Sequence, residues 1–318
     1  MKTIGFPISH LENERRRALL PAHVAGLACA NALFFEEGYG HVLGIADEEY
    51  REAGARVQSR GDVFAHPILC NPKAPTPDEA ALLQEGQTYF GWIHAVQGRQ
   101  IVDLLLARSM TAIAWEDMHE GGRHSFWRNN ELSGEAAILH SFLIYGRPAY
   151  ECEVALIGKG NVARGALRVL EKMGASVTVY DRRTIGLLRS ELGRYDVIVN
   201  GILWDVFRTD HLVYRSDLCR MRPGSMIVDI SCDDHMGIET CRATTIDDPV
   251  YLEECVLHYA VTHTSALLYK AASRAISEVV CRFVEGLVSG VGDPILRQAT
   301  IIENGVIRDE RIMRFQGR

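Results

Sequence analysis

Gly158, Gly160 and Ala163 stand in the run GKGNVA, between the apolar VALI and the amphipathic RGALRVLEKMG, and have the types and spacing to hold a diphosphate. Gly158 permits a tight turn, Gly160 lets an anion approach the backbone, and Ala163 lets the following helix lie close to its strand. Asn161 and Val162 open that helix, where free N–H donors and positive potential favour an anion. A second apolar strand, SVTVY, leads into Asp181, a carboxylate placed to accept hydrogen bonds from adenosine ribose hydroxyls, which favours NAD. Arg182 and Arg183 follow, and guanidinium forks suit a 2′-phosphate, which favours NADP. On the chemistry of these residues alone the choice between the two dinucleotides stays open.

Two more strands should extend the same sheet. YDVIVNGI ends at Asn200 and Gly201, where the strand tip would pass the adenosine half of the cofactor. GSMIVDISCDD ends with Asp229, Ser231, Asp233 and Asp234 at the edge where open α/β sheets bind ligands. Gly201 and Ser231 are therefore candidates for cofactor contacts, and the acids for contacts to the nicotinamide ribose or the substrate. The DDH triplet at Asp233–His235 has no partner ligands at a recognisable spacing, so no metal is expected.

Strand and helix patterns alternate along the whole chain, which predicts two doubly wound α/β domains, the second a dinucleotide-binding Rossmann domain, joined by long connector helices. PAHVAGLACANALFFEEG reads as a helix that starts on proline and ends on Gly38. GEAAILHSFLIYG and TSALLYKAASRAISEVVCRFVEGLVSG read as long helices, and Asn304-Gly305 as a hairpin turn. The polar break HEGGRHSFWRNNELS marks the crossing. The expected division is a substrate domain of residues 1–132 plus 290–318 and a Rossmann domain of residues 133–289.

The bulk composition excludes several classes. The 318 residues are 47% hydrophobic with a formal net charge of −7, a balance that lacks the concentrated basic surface a nucleic-acid partner requires. No apolar run approaches the ~20 residues of a membrane span, and the first thirty residues carry acids and arginines where an export signal would need an unbroken apolar stretch. Eight cysteines without a C-x-x-C pair point to reduced thiols and a cytoplasmic setting.

Six motifs, NERRRALLPAHV, NPKAP, GWIHAV, TAIAWEDM, the glycine turn and VDISCDD, occur in an order that resembles the alanine dehydrogenase and transhydrogenase amino-domain superfamily. The resemblance covers nearly the whole chain. Within it, GFPIS, NERRRALLP, VDISCD and GIET are most similar to the N5-(carboxyethyl)ornithine synthase branch. That resemblance implies condensation of pyruvate with the side-chain amine of ornithine or a similar basic amino acid, reduction of the imine by NADPH, and a homodimer formed through the connector helices. It implies that Arg16 and Lys73 hold the oxo-acid carboxylate, that His94 is the catalytic histidine, and that Asp233 lies by the nicotinamide and substrate. His263 and Thr264 are further candidates for cofactor contacts. After Asp233 the glycine pair of alanine dehydrogenases is replaced by Asp234, His235 and Met236, and the proline before the closing helix is missing. Both departures argue against alanine as the product.

The chemistry of the residues agrees with these roles. Reducing an imine of a 2-oxo acid needs a cation for the carboxylate, a group able to move protons, and a hydride donor facing the imine carbon. Arg16 is a permanent cation, His94 titrates near neutrality in water, and Lys73 can fix the carboxylate or polarise the carbonyl. A basic amino acid also needs an acid for its α-ammonium, with Glu116, Asp117 and Asp234 as candidates. Competing readings are an NAD-linked alanine or saccharopine-type dehydrogenase, in which Asp181 would dominate, and a dinucleotide-sensing protein without turnover.

Overall fold

The computed structural model describes residues 1–232 and 234–318, in two compact units. Unit 1 comprises Met1–Trp127 and Tyr269–Arg318, and unit 2 comprises Arg128–Leu268.

Among the described residues, unit 1 is built on an eight-stranded sheet. Arg56–Gln58, Leu33–Glu36, Ile4–Phe6, Ile68–Asn71, Thr88–Gly91 and Thr111–Ala114 run parallel in that spatial order. Thr300–Glu303 then joins antiparallel to Thr111–Ala114, with Val306–Ile307 beyond it. The pleat sends neighbours to opposite faces. Ile68, Cys70, Phe90 and Ile113 pack in one core layer, while Leu69, Tyr89, Ala112 and Ala114 pack in the other. Burial on both faces explains why these strands read as continuous apolar runs.

One expected helix is a strand. Of PAHVAGLACANALFFEEG, only Pro21–Val24 is α-helical, Ala30–Ala32 is a single 3-10 turn, and Leu33–Glu36 pairs parallel with Ile4–Phe6. A short, fully buried apolar run has no periodicity to separate strand from helix, and its two adjacent phenylalanines favour the strand. The Asn304-Gly305 turn forms as expected, both residues having positive φ (47° and 73°) between the paired strands Thr300–Glu303 and Val306–Ile307.

In unit 2, among the described residues, a six-stranded sheet runs Ser176–Tyr180, Glu153–Ile157, Val197–Asn200, Met226–Asp229, Val256–Tyr259, Val250–Glu253. All pairs are parallel except the last. Val154, Leu156, Val197 and Val199 lie in one layer with Ala163, Ala166 and Leu170 of helix Asn161–Lys172, and with Ala137, Ile138 and Phe142 of helix Trp127–Tyr145. Ala155, Ile157 and Ile198 lie in the opposite layer. The two helices touch backbone to backbone. A Cβ on Gly165 would overlap the Glu131 carbonyl oxygen, and one on Gly134 would overlap that of Val162.

Helix Tyr269–Ser289 ends at Gly290, whose φ is 74°. Its Ile276, Val280, Phe283, Val284 and Leu287 pack in the core of unit 1. The division therefore falls at 127/128 and 268/269, where the sequence reading set it at 132/133 and 289/290. An apolar stripe at helical spacing states that a helix packs, without naming which sheet receives it.

Candidate active site

In unit 1 the chemistry collects at the carboxyl ends of the parallel strands, where such sheets bind ligands. Lys73 follows strand Ile68–Asn71. Its N–H donates to Asn71 Oδ1 at 3.3 Å and its carbonyl accepts from the Tyr89 hydroxyl at 2.5 Å. His94 follows Thr88–Gly91 and takes a left-handed conformation, φ 51°. Glu116 lies in the 3-10 turn Trp115–Asp117 that follows Thr111–Ala114.

The three arginines of RRR separate by role. Arg15 is exposed beside the Tyr269 ring. Arg17 is buried; its guanidinium donates to the Tyr39 carbonyl, and its backbone N–H donates to Ser273 Oγ at 2.9 Å. Arg16 is buried too. Its Nε and Nη2 donate to the two carboxylate oxygens of Glu14, at 2.8 and 2.5 Å, and its Cζ lies 5.1 Å from the centre of the Trp92 ring. Burial pushes the Glu14 carboxyl up, but the charge and hydrogen bonds of Arg16, helped by the charge of Lys73, outweigh it and hold Glu14 below its ordinary range. The pair fixes the guanidinium along its Nε–Nη2 edge. The charges of Arg16 and Lys73 also bear on His94, so these three side chains stand near one another.

Protein packed around the His94 imidazole pushes its pKa down, and the charges of Lys73 and Arg16 push the same way, to about 3. His94 is nevertheless exposed, so both the desolvation and the solvent-screened pull of the two cations act on it less than dense surroundings alone suggest. The direction holds on either count: without a bound anion the ring is neutral at pH 7.

Glu116 does something the sequence did not disclose. Its carboxylate accepts the N–H of His94 at 2.6 Å and that of Ile93 at 3.2 and 3.3 Å. Burial raises its pKa to about 7 against these hydrogen bonds, with the neighbouring Asp117 adding to the rise. Glu116 therefore holds the backbone of the turn that carries the histidine. Asp117 is engaged by Arg311 at 2.7 Å.

In unit 2, Gly158 has φ 109°, a conformation that essentially requires glycine, and Gly160 caps helix Asn161–Lys172 without any side-chain hydrogen bond. The first amides of the helix, at Asn161 and Val162, are thereby left for an external acceptor, with open space where a Cβ of Gly160 would stand. A Cβ on Gly201 would lie 3.1 Å from that of Ala163, so strand tip, turn and helix are in close contact. These residues fit a dinucleotide diphosphate.

The remaining predicted positions differ in how they are engaged. Asp181 accepts from Lys159 Nζ at 2.6 Å, from the backbone N–H of Arg183 and Thr184 at 2.9 and 3.3 Å, and from the Thr184 hydroxyl at 3.2 Å. Arg182 and Arg183 are exposed and, among the described residues, form no ion pair. Ser231 donates its hydroxyl to the Ile202 carbonyl, and its N–H to Asp229 Oδ1 at 3.1 Å. Asp229 is buried and also accepts from Asn200 Nδ2 at 3.0 Å, so it ties two strand ends together. Asp234 accepts the Ala243 N–H at 2.6 Å. His263 is buried with Nδ1 3.1 Å from the Thr262 hydroxyl, and Thr264 donates to the Ser133 carbonyl at 2.9 Å. Asp233 lies outside the described residues. No cluster of potential metal ligands occurs among the described residues, and no helix there is long and apolar enough to cross a membrane.

A dinucleotide turn on one doubly wound unit and a cation–histidine cluster on the other define a two-domain nicotinamide-linked oxidoreductase. Comparison with known proteins gives the family. Residues 7–126 match the family model "Alanine dehydrogenase/PNT, N-terminal domain", and residues 184–314 match "Alanine dehydrogenase/PNT, C-terminal domain". An N(5)-(carboxyethyl)ornithine synthase of Clostridium botulinum is 30% identical over 88% of this chain and 93% of its own length. An alanine dehydrogenase of Methanococcus maripaludis is 29% identical over 86% of this chain and 84% of its own. Among solved structures, an L-alanine dehydrogenase superposes with a TM-score of 0.83 at 22% identity, over 99% of both chains. The chain belongs to the alanine dehydrogenase/PNT family and is an oxidoreductase that acts on CH–NH groups with a nicotinamide dinucleotide as cofactor.

Proposed function

We propose that the protein catalyses the NADPH-dependent condensation of pyruvate, or a similar 2-oxo acid, with the side-chain amine of ornithine or lysine, giving an N-(1-carboxyethyl) amino acid. The observation that carries this reading is the joining of two cations, Arg16 and Lys73, to one histidine at the ends of three chain segments. Arg16, braced by Glu14, would hold the oxo-acid carboxylate, and Lys73 the same carboxylate or the carbonyl oxygen.

A bound carboxylate offsets the two cations, so the pKa of His94 rises from its depressed value toward the range useful for proton transfer. His94 then moves the proton lost by the attacking amine to the carbonyl oxygen, forming the carbinolamine, and passes a second proton, taken up from solvent, to its hydroxyl as water leaves, so that a protonated imine remains. Nicotinamide supplies the hydride to the imine carbon when the cofactor is bound. Gly158, Gly160, Asn161 and Val162 would hold its diphosphate, and Arg182 and Arg183 its 2′-phosphate, with Gly201, Ser231 and His263 as further contacts. Asp233 would orient the nicotinamide ribose or the imine. Asp234, exposed and bonded through one oxygen to Ala243 N, would receive the α-ammonium of the amino acid.

The relatives named for ornithine support the substrate, and the Asp234-His235-Met236 departure favours a second amino acid over ammonia. Free cysteines support a reducing, cytoplasmic setting. Leu139 and Leu143, exposed one turn apart on helix Trp127–Tyr145, support a homodimer through that helix. The test is a grid of 2-oxo acids against ornithine, lysine, alanine and ammonia, followed by NADPH and NADH oxidation and by mass detection of product. Turnover with ammonia alone, yielding alanine, would replace this reading with an alanine dehydrogenase.

A further inference from the structure

We infer that Lys159, the residue between the two glycines of the dinucleotide turn, sets the preference for NADP by neutralising Asp181 and facing the 2′-phosphate. This rests on the NADPH reading above and names the residue behind it.

In sheets of this kind the acid that follows the second strand is where the adenosine ribose hydroxyls fall. A carboxylate has about four acceptor positions. Here Oδ1 of Asp181 is filled by two backbone N–H groups and the Thr184 hydroxyl, which fold the chain into the turn before helix Ile185–Glu191. Oδ2 carries the Lys159 ammonium at 2.6 Å. The acid is thus spent on its own loop and on a cation. It has little left to offer a 2′-hydroxyl, and its repulsion of a phosphate is cancelled.

The ammonium brings two unspent N–H donors to the same spot. With Arg182 and Arg183, exposed and unpaired among the described residues, the four side chains carry two net positive charges. A phosphate monoester at neutral pH carries close to two negative ones. Lys159 also comes from the glycine turn itself. Its backbone is therefore part of the diphosphate turn, whereas the arginines stand in the following loop.

The test reads binding without turnover. Calorimetric titration of the full-length protein compares adenosine 2′,5′-bisphosphate with 5′-AMP, and NADPH with NADH, for wild type, Lys159→Gln, Lys159→Arg and Asp181→Asn. Wild type should bind each 2′-phosphorylated ligand at least ten-fold tighter than its partner. Lys159→Gln should cut that ratio about ten-fold, partly by tightening 5′-AMP and NADH as Asp181 is released; Lys159→Arg should keep most of it, and Asp181→Asn should raise it. A wild-type preference for 5′-AMP and NADH would overturn the NADPH reading together with this inference. A wild-type preference for the phosphorylated ligands that Lys159→Gln leaves unchanged would overturn the role of Lys159 alone. Because Lys159 is exposed, both Lys159 variants should melt within a few degrees of wild type, and a Lys159→Arg variant that loses the ratio while folded also counts against the inference.

Discussion

Replacing Glu116 with alanine should uncouple folding of the first unit from its catalysis. The carboxylate accepts a short hydrogen bond from His94 N and a longer, shared one from Ile93 N. A bond to a charged acceptor contributes about 1.5–3 kcal/mol, and the stretched one contributes less. The turn it holds is strained, because a non-glycine residue at φ 51° costs about 1–2 kcal/mol. Without Glu116 the turn can release that strain, so the net stability loss should be about 2 kcal/mol. Release carries the imidazole away from Lys73 and Arg16. A displacement of about 1 Å in a reacting group can cost on the order of 100-fold in rate, so kcat should fall between about 10- and 100-fold. Glu116→Gln keeps one carbonyl acceptor for His94 N and should recover most of the rate. Initial rates with the substrate pair from the activity grid, with thermal unfolding alongside, make the measurement. The stability profile adds a check with a definite sign. Glu116 titrates near 7 in the folded chain against about 4.5 unfolded, so folding takes up a proton between those values. Its stabilisation relative to the glutamine variant is complete below about pH 4.5 and is lost as pH rises through 7, at no more than about 1.4 kcal/mol per pH unit. A folded Glu116→Ala enzyme with wild-type kcat from pH 5 to 9 would refute the positioning role.

Four further outcomes are expected. Lys73→Met should raise the pKa of His94 in the free enzyme by on the order of one unit, because one of the two depressing charges is gone; NMR titration of the His94 ring reads it, and KM for the oxo acid should rise in the same variant. His94 itself, whose pKa is lowered on folding from about 6.5, makes stability grow as pH rises from acid toward that value, so His94→Asn should flatten the acid side of a melting profile. Gly165→Ala should destabilise unit 2 by roughly 3 kcal/mol or abolish soluble expression, since its methyl group meets the Glu131 carbonyl across the contact between helices Asn161–Lys172 and Trp127–Tyr145; chemical denaturation measures it. Leu143→Glu should shift a dimer to monomer in light scattering with little change in unfolding temperature, because Leu143 is 83% exposed in the isolated chain.

What could be read in the sequence divides along a physical line. Local rules are written in single segments. The glycine turn, the apolar strands, the Asn304-Gly305 hairpin and helix Tyr269–Ser289 each carry their geometry in a few adjacent residues, because positive φ and both-face burial constrain residue type directly. The same rules stop at Leu33–Glu36, where an apolar run too short for periodicity takes its form from the strand beside it. Pairings between distant segments are invisible to such rules. Glu116 looked available for a substrate ammonium, since a strand-end acid is the same letter whether it faces a ligand or holds a neighbouring turn 22 residues away. Lys159 and Asp181 carry opposite charges in two motifs that were read separately, one for its glycines and the other for its acid. Taken alone, Asp181 argues for NAD; joined to Lys159, it becomes part of a cationic cluster and argues for NADP. A carboxylate's meaning in a cofactor site depends on its partner, and only the folded chain names the partner.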